Sequence, residues 1–571
     1  MLSTVPSEIR GRSKLLSSLS VALLLLTTSY LATTWLPLGF GTSDDIVLKS
    51  FASGRYTGQP EYQLIYSTPL FGLLLQGLFR FLPNFDWYTF VMFLSQVTAI
   101  TAIMMSLLRK QPTSVRLLII AVGVFIFPKF LFPMQFTGAA ILLSMAGMTL
   151  LFRQFEDRPT HYLYSGFALL TLGMAIRWEA GSLVVGIFAV PLLLATWKSE
   201  HLTARGLLSS FSAVTVAVSV NIFLNRFNQP ATFLHTNTGT LQNIIDQQSE
   251  KIDLPQLSST AHDLFRATGG LFWDRESAMG VMKSRVNGDD SVLNDLQQTL
   301  SIVMSRPYVV FLSIALLFFC LLLLRGLTGA LTGAFGVGLG IIGFFSASTY
   351  LYDKYDRLPY RLLMPLWVGL IIIQMTALGS RSTETLVTRT QLRVRPFSEF
   401  FTSLGFILKK LQGLILIIGV FCCLTLGARY LAFYGSRQDE IVALLDTHLD
   451  HARCFGGSHS MVFAMYPDWG SIPGGDLVPD NSDVIFDFPI FDNGWSLHTD
   501  LFQKRLDYFK IERDDSIVRM LVLNDAAVIT RQATANLLAE LHNEENPNNL
   551  VGVVSITGCE IEAYRLRPIQ G

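Results

Sequence analysis

Two adjacent carboxylates, Asp44 and Asp45, follow Thr42-Ser43 directly after an apolar segment that ends near Pro37. A position just past a greasy run is a membrane–water boundary, where charge is costly to keep and usually serves a purpose. A carboxylate there can act as a general base, taking a proton from an attacking hydroxyl. The same residues also read as a helix start, with Ser43 as the cap and the acids complementing the dipole of a helix through Ile46–Ala52. Both readings stay open on residue types alone. Further ionisable residues fall at the same ends of the apolar runs: Glu61, Lys129, Arg177, Glu179, Asp353, Lys354, Asp356, Arg357 and Arg361. The interiors of those runs carry none.

Among the cations, Arg361 follows Pro359 at the start of an apolar run. Proline suits a first helical turn, so Arg361 lies beside free backbone N–H groups, a natural phosphate site. Arginine also grips phosphate in bidentate fashion. Lys354 and Arg357 share that segment, and Lys129 lies between Pro128 and Pro133; for all of these, headgroup anchoring is the alternative role. Arg177 and Glu179 read as a local ion pair. Trp273, within Gly269-Gly270-Leu271-Phe272-Trp273-Asp274-Arg275-Glu276, offers an aromatic platform for a sugar, with an ordinary buried tryptophan as the alternative.

The elements that must position these groups follow from composition. The chain has 571 residues, of which 50% are hydrophobic and 15% charged, with a mean hydropathy of +0.43. Soluble domains carry about 25% charged residues, so the expected fold is a polytopic α-helical membrane protein. Net charge is zero, which points to no nucleic acid. Runs of bilayer-crossing length occur near 15–36, 88–108, 115–132, 135–152, 162–178, 180–197, 205–224, 307–325, 327–349, 361–379 and 411–433, about eleven spans. The first, preceded by Arg10, Arg12 and Lys14, reads as a retained signal anchor. Residues 66–82 carry Gly72, Gln76 and Arg80 at every fourth position, the pattern of a helix lying in the interface.

With 66–82 not crossing, the N-terminus and the loop 380–410 are cytoplasmic. The inner loops then carry about seventeen Lys and Arg against about eight in the short outer ones, as the positive-inside rule requires. Three segments face outside: 37–87, the long loop 225–306 with helical patterning at 241–252 and 292–305, and the tail. Residues 1–433 thus form a membrane domain and 434–571 a small extracytoplasmic α/β domain. In the tail, strands are expected near 460–466, 484–491, 517–523 and 550–564, and helices near 436–450, 497–509 and 531–543. Cys454 and Cys559 both lie there and could form a disulfide outside the cytoplasm. No Asn-x-Ser/Thr sequon occurs, which favours a bacterial plasma membrane over a glycosylating lumen.

Asp44-Asp45 after the first span, then Gly54-Arg55-Tyr56-Thr57-Gly58-Gln59-Pro60, then Ser67-Thr68-Pro69-Leu70 opening an interfacial helix, resembles the GT-C integral-membrane glycosyltransferases, which use polyprenyl-phosphate sugars. The layout match covers roughly residues 15–433, with Thr68-Pro69-Leu70 where many members have His-Pro-Pro-Leu. The resemblance implies that Asp44 or Asp45 is the general base. It implies a polyprenyl-phosphate-linked sugar donor and a cell-envelope glycan, lipid or protein as acceptor. Outer-face cations, Arg361 foremost, would stabilise the departing lipid phosphate. A divalent metal has precedent among relatives; the sequence assigns it no ligands. A transporter or flippase of a lipid-linked glycan is the rival reading, disfavoured by the uncharged span interiors. A non-enzymatic assembly or sensor protein is the third.

Overall fold

A computed structural model describes residues 39–41, 43–109, 113–157, 160–198, 204–225, 461–464, 500–514, 516–556 and 563–569, with shorter pieces within 367–372, 417–432, 478–479 and 487–492 and the single residues 260, 450 and 454. The expectations for 1–36, 225–306, 307–349 and 380–410 lie outside the described residues. So do Trp273, Lys354, Arg357, Arg361 and Cys559.

The chain is mostly helical. After a short strand β1 (Gly39–Phe40) come α1 (Ser43–Ser53), α2 (Pro69–Phe81), α3 (Trp87–Leu108), α4 (Thr113–Ile126) and α5 (Pro128–Leu131). Strand β2 (Pro133–Met134) leads into α6 (Phe136–Asp157), α7 (Thr160–Ile176), α8 (Trp178–Lys198) and α9 (Ala204–Asn225). Among the described residues two helices are long and apolar enough to cross a membrane, Trp87–Leu108 and Phe136–Gln154. The other apolar helices there are shorter, such as Trp178–Phe188 and Phe211–Leu224. About eleven spans were expected; the described residues bear out two by length and composition. The expected span 115–132 is broken into α4 and α5. Pro128 opens α5 at its first position, where a missing N–H costs least.

Helix α6 is the centre of the bundle, with Ala139, Ala140, Ile141, Leu142, Leu143, Met145 and Ala146 fully buried. It packs on α7 through small residues. A Cβ on Gly147 would lie 2.7 Å from the Gly166 carbonyl oxygen, and one on Gly173 would lie 2.7 Å from that of Ala140. Backbones this close exclude larger side chains, as in membrane helix pairs generally.

At 1.5 Å per residue, α2 spans about 20 Å, too short to cross. Two members of its polar stripe, Gly72 and Gln76, turn inward, while Arg80 is exposed. Gly72 is buried against Tyr62, with room for no Cβ, and Gln76 Nε2 donates to the Pro60 carbonyl at 2.7 Å. Leu70, Leu73 and Leu74 face outward instead. The i, i+4 pattern starts on a face packed by close backbone approach and a hydrogen bond and ends in the exposed Arg80.

The tail contains β3 (Val462–Ala464), β4 (Val478–Pro479), β5 (Ile490–Asp492), α10 (Asp500–Phe509), α11 (Ile517–Leu523), β6 (Ala527–Ile529), α12 (Gln532–Glu545), β7 (Val551–Ile556) and β8 (Ala563–Pro568). Its five-stranded sheet runs β5-β3-β6-β8-β7. Strand β3 is parallel to β5 and β6, and β8 is antiparallel to β6 and β7. Phe463, Phe491, Phe502, Leu506, Val528 and Leu538 form its core. The expected strand at 517–523 is a helix. Ser516 caps it, accepting from Arg519 N, and Ile517, Val518, Met520 and Leu521 bury one helical face. The expected run 550–564 is two antiparallel strands.

Candidate functional site

The acidic pair opens α1, with both carboxylates in its first turn. Successive helical residues point about 100° apart, so the two side chains diverge. Asp45 is fully buried and Asp44 half-buried. Asp45 Oδ1 accepts from Tyr88 Oη at 3.0 Å and from the Phe136 backbone N–H at 2.9 Å. Those donors are the first turn of α3 and the N-terminus of α6. An anion at a helix N-terminus meets unsatisfied N–H groups and the positive dipole end.

A second contact, one turn further along the same face of α1, also reaches the start of α3. Lys49, 8% exposed, pairs with Asp86 at 2.6 Å. Asp86 also caps α3, accepting from Thr89 N at 3.1 Å. The loop after α1 is built on two left-handed glycines, Gly54 at φ +87° and Gly58 at φ +80°. At its end Thr68 bonds the Ala175 carbonyl through both N–H and hydroxyl, at 2.9 and 3.1 Å. The start of α2 is thereby pinned to the end of α7.

A cation meets the same helix end. Arg177 Nη1 donates to Thr137 Oγ1 at 2.6 Å, one residue past the N–H that Asp45 accepts. Its guanidinium lies 5.3 Å from the Tyr66 ring centroid and 5.1 Å from that of Phe136. Tyr66 takes the left-handed conformation, φ +66°, uncommon for a bulky residue and a mark of imposed strain. The expected local pair with Glu179 is long, at 4.0 Å; Thr137 is the closer partner.

Of the other site candidates, Glu61 is buried and both its oxygens take a bond from Lys504 Nζ at 2.8 Å. Lys129 lies in α5, its Nζ 5.0 Å from the Phe125 ring centroid. Among the described residues no group of three or more His, Cys, Asp or Glu could hold a metal ion. Cys454 is disulfide-bonded.

Tyr88 and the Phe136 N–H escaped the sequence reading, which set Arg177 at this face but gave it only a local pair with Glu179. Tyr88 looks like an interfacial aromatic, and a backbone N–H has no signature at all.

No family model matches the chain, and no curated protein matches it. Among solved structures, the crystal structure of ArnT from Cupriavidus metallidurans bound to undecaprenyl phosphate aligns with a TM-score of 0.40 and 11% identity, covering 97% of this chain and 98% of that one. The apo ArnT structure aligns with a TM-score of 0.42 and 11% identity, covering 98% of both. The likeness is distant and runs nearly end to end.

Proposed function

We propose that this chain is a multispanning GT-C-type glycosyltransferase. In this reading it moves a sugar from a polyprenyl-phosphate donor to a cell-envelope glycan, lipid or protein at the outer face of a bacterial plasma membrane. The observation that carries it is the division of the acidic pair. Asp45 is spent inward on Tyr88 and Phe136, and that anchors its half-buried neighbour. The membrane setting rests on mean hydropathy and on large apolar side chains exposed along helices, among them Phe90 and Leu94 on α3, Leu117 and Ile120 on α4, and Phe223 on α9. Soluble monomers seldom expose apolar faces that extensive.

In the proposed step Asp44 takes the proton of the acceptor hydroxyl. The acceptor oxygen bonds to the anomeric carbon as the bond from that carbon to the phosphate oxygen breaks. The electron pair leaves with the polyprenyl phosphate. Arg177, beside the N-terminal turn of α6, is placed to offset that growing charge, with Lys129, Lys354, Arg357 and Arg361 as further candidate cations. Glu61 and Trp273 stay candidates for sugar contacts. No step is routed through a metal, because the described residues assemble no ligand set.

The test is release of polyprenyl phosphate from a panel of polyprenyl-phosphate hexoses and pentoses by purified protein. Asp44→Asn keeps the size and removes the proton acceptor, so turnover falls about 10²–10⁴-fold. Near-parental turnover in both Asp44→Asn and Asp45→Asn would leave the pair as a helix start and end this reading.

A further inference from the structure

The tail touches the acidic loop at several independent points. Lys504, on α10, makes the paired contact with buried Glu61. The next residue, Arg505, is itself fully buried. Its Nη1 donates to the Tyr56 carbonyl at 2.9 Å, and its guanidinium lies 4.4 Å from the Tyr56 ring centroid. Its other end is fixed within the tail, where Nη2 donates to the Phe488 carbonyl at 2.9 Å. The Tyr508 ring closes on Gly58 so tightly that a Cβ there would lie 2.5 Å from it. Leu501, on the same helix, is buried in the core of the membrane domain rather than in that of the tail.

A second element of the tail reaches the other flank of the acids. Strand β4 pairs antiparallel with β1, Gly39 opposite Pro479 and Phe40 opposite Val478. Strand β1 in turn pairs parallel with β2, Gly39 opposite Pro133 and Phe40 opposite Met134. Gly41 N donates to the Met134 carbonyl at 2.7 Å. This small sheet therefore joins the residues just before Asp44 to those just before Phe136, whose N–H Asp45 accepts.

We propose that the tail is a working part of the site: α10 and β4 clamp both flanks of the acidic pair, and Arg505 is a positioning residue for it. The chemistry fits that task. A buried guanidinium that bonds a carbonyl on each body and lies against aromatic faces has a fixed fork geometry that lysine cannot copy. A buried carboxylate such as Glu61 holds its partner tightly, because losing it would strand a charge. The part of this proposal that concerns turnover rests on the glycosyltransferase reading; the clamp itself does not.

The experiment follows hydrogen–deuterium exchange over 54–64 in the full-length protein, for Lys504→Ala, Arg505→Lys and the charge swap Glu61→Lys/Lys504→Glu. Exchange over 532–545 in the tail reports whether that domain is still folded. Lys504→Ala is expected to speed exchange in 54–64 about tenfold, less than a fully buried pair would give because Lys504 is half-exposed. Arg505→Lys does the same with the tail still protected, and the charge swap restores protection. Unchanged exchange in 54–64 for both single variants overturns the clamp. Turnover is then read with an undecaprenyl-phosphate hexose on the two single variants, which leave Glu61 in place: kcat falls in both and KM for the donor moves less than threefold. Faster exchange with kcat intact overturns the link to the site. If wild-type protein transfers from no donor, the glycosyltransferase reading fails while the exchange arm still decides the clamp.

Discussion

Asp45 shows how one side chain can be committed by two neighbours far away in sequence. Tyr88 and Phe136 both spend their donors on Oδ1. Tyr88→Phe keeps the ring and its packing on Phe40 but removes one charge-assisted bond. The expected cost is about 1.5–3 kcal/mol of stability, read by thermal unfolding in detergent, with a smaller loss of turnover than Asp44→Asn. A larger loss of turnover in Tyr88→Phe than in Asp44→Asn would assign the proton chemistry to the wrong acid. The pair was legible because two acids beside an apolar run are rare. Which acid turns inward was not, since the helix phase is set by Lys49 reaching Asp86 and by where α3 and α6 begin.

Helix α2 makes a sharper test at the scale of an element. Gly72 and Gly77 sit on one helix, and sequence alone treats them alike. A Cβ on Gly72 would lie 1.7 Å from the Tyr62 carbonyl oxygen, whereas one on Gly77 would meet nothing within 4 Å. Gly77→Ala is therefore expected to stabilise by about 0.5–1 kcal/mol through lost unfolded-chain freedom. Gly72→Ala forces backbone apart and costs about 1–3 kcal/mol or more. Melting temperatures of the two variants check this; shifts of the same sign would show that α2 does not pack its Gly72 face on the loop. The sequence placed α2 correctly through Thr68-Pro69 and its apolar content. It did not show that Gly72 and Gln76 pack on the loop while Arg80 is exposed, because a four-residue period marks one side of a helix without saying what lies against it. The strand expected at 517–523 failed for a related reason: Ile, Val and Leu suit a strand, but Ser516 and the burial of Ile517, Val518, Met520 and Leu521 select a helix.

Across the whole molecule, the tail carries its own titrating group. His542 is 2% exposed, with Nε2 3.2 Å from the Asn549 carbonyl. Burial, the largest influence, pushes its pKa below the ordinary 6.5; Arg519 pushes the same way, and the Asn549 carbonyl, Glu545 and Asp514 oppose. A histidine depressed in the folded state binds fewer protons than in the unfolded chain. Its contribution is full above the unfolded pKa and is lost as pH falls through the folded one. Thermal unfolding of the full chain between about pH 5 and 8 should show the wild type losing stability on acidification more steeply than His542→Gln. Parallel curves would mean that the ring is charged or solvated in the folded protein.

Composition alone pointed to a mostly helical chain with apolar helices, because a mean hydropathy of +0.43 leaves few other ways to satisfy so many backbone groups. Hydrophobic periodicity located α10 and α12. Local chemistry could also single out Asp44-Asp45, since charge at the end of an apolar run is expensive wherever the chain goes. Only the tertiary structure decided that the buried acid is Asp45, that Arg177 meets the same helix end, and that Lys504 and Arg505 close over the loop from more than four hundred residues away. Those facts depend on packing between distant segments. Sequence spacing carries no information about such packing until the helices that bring the segments together have formed.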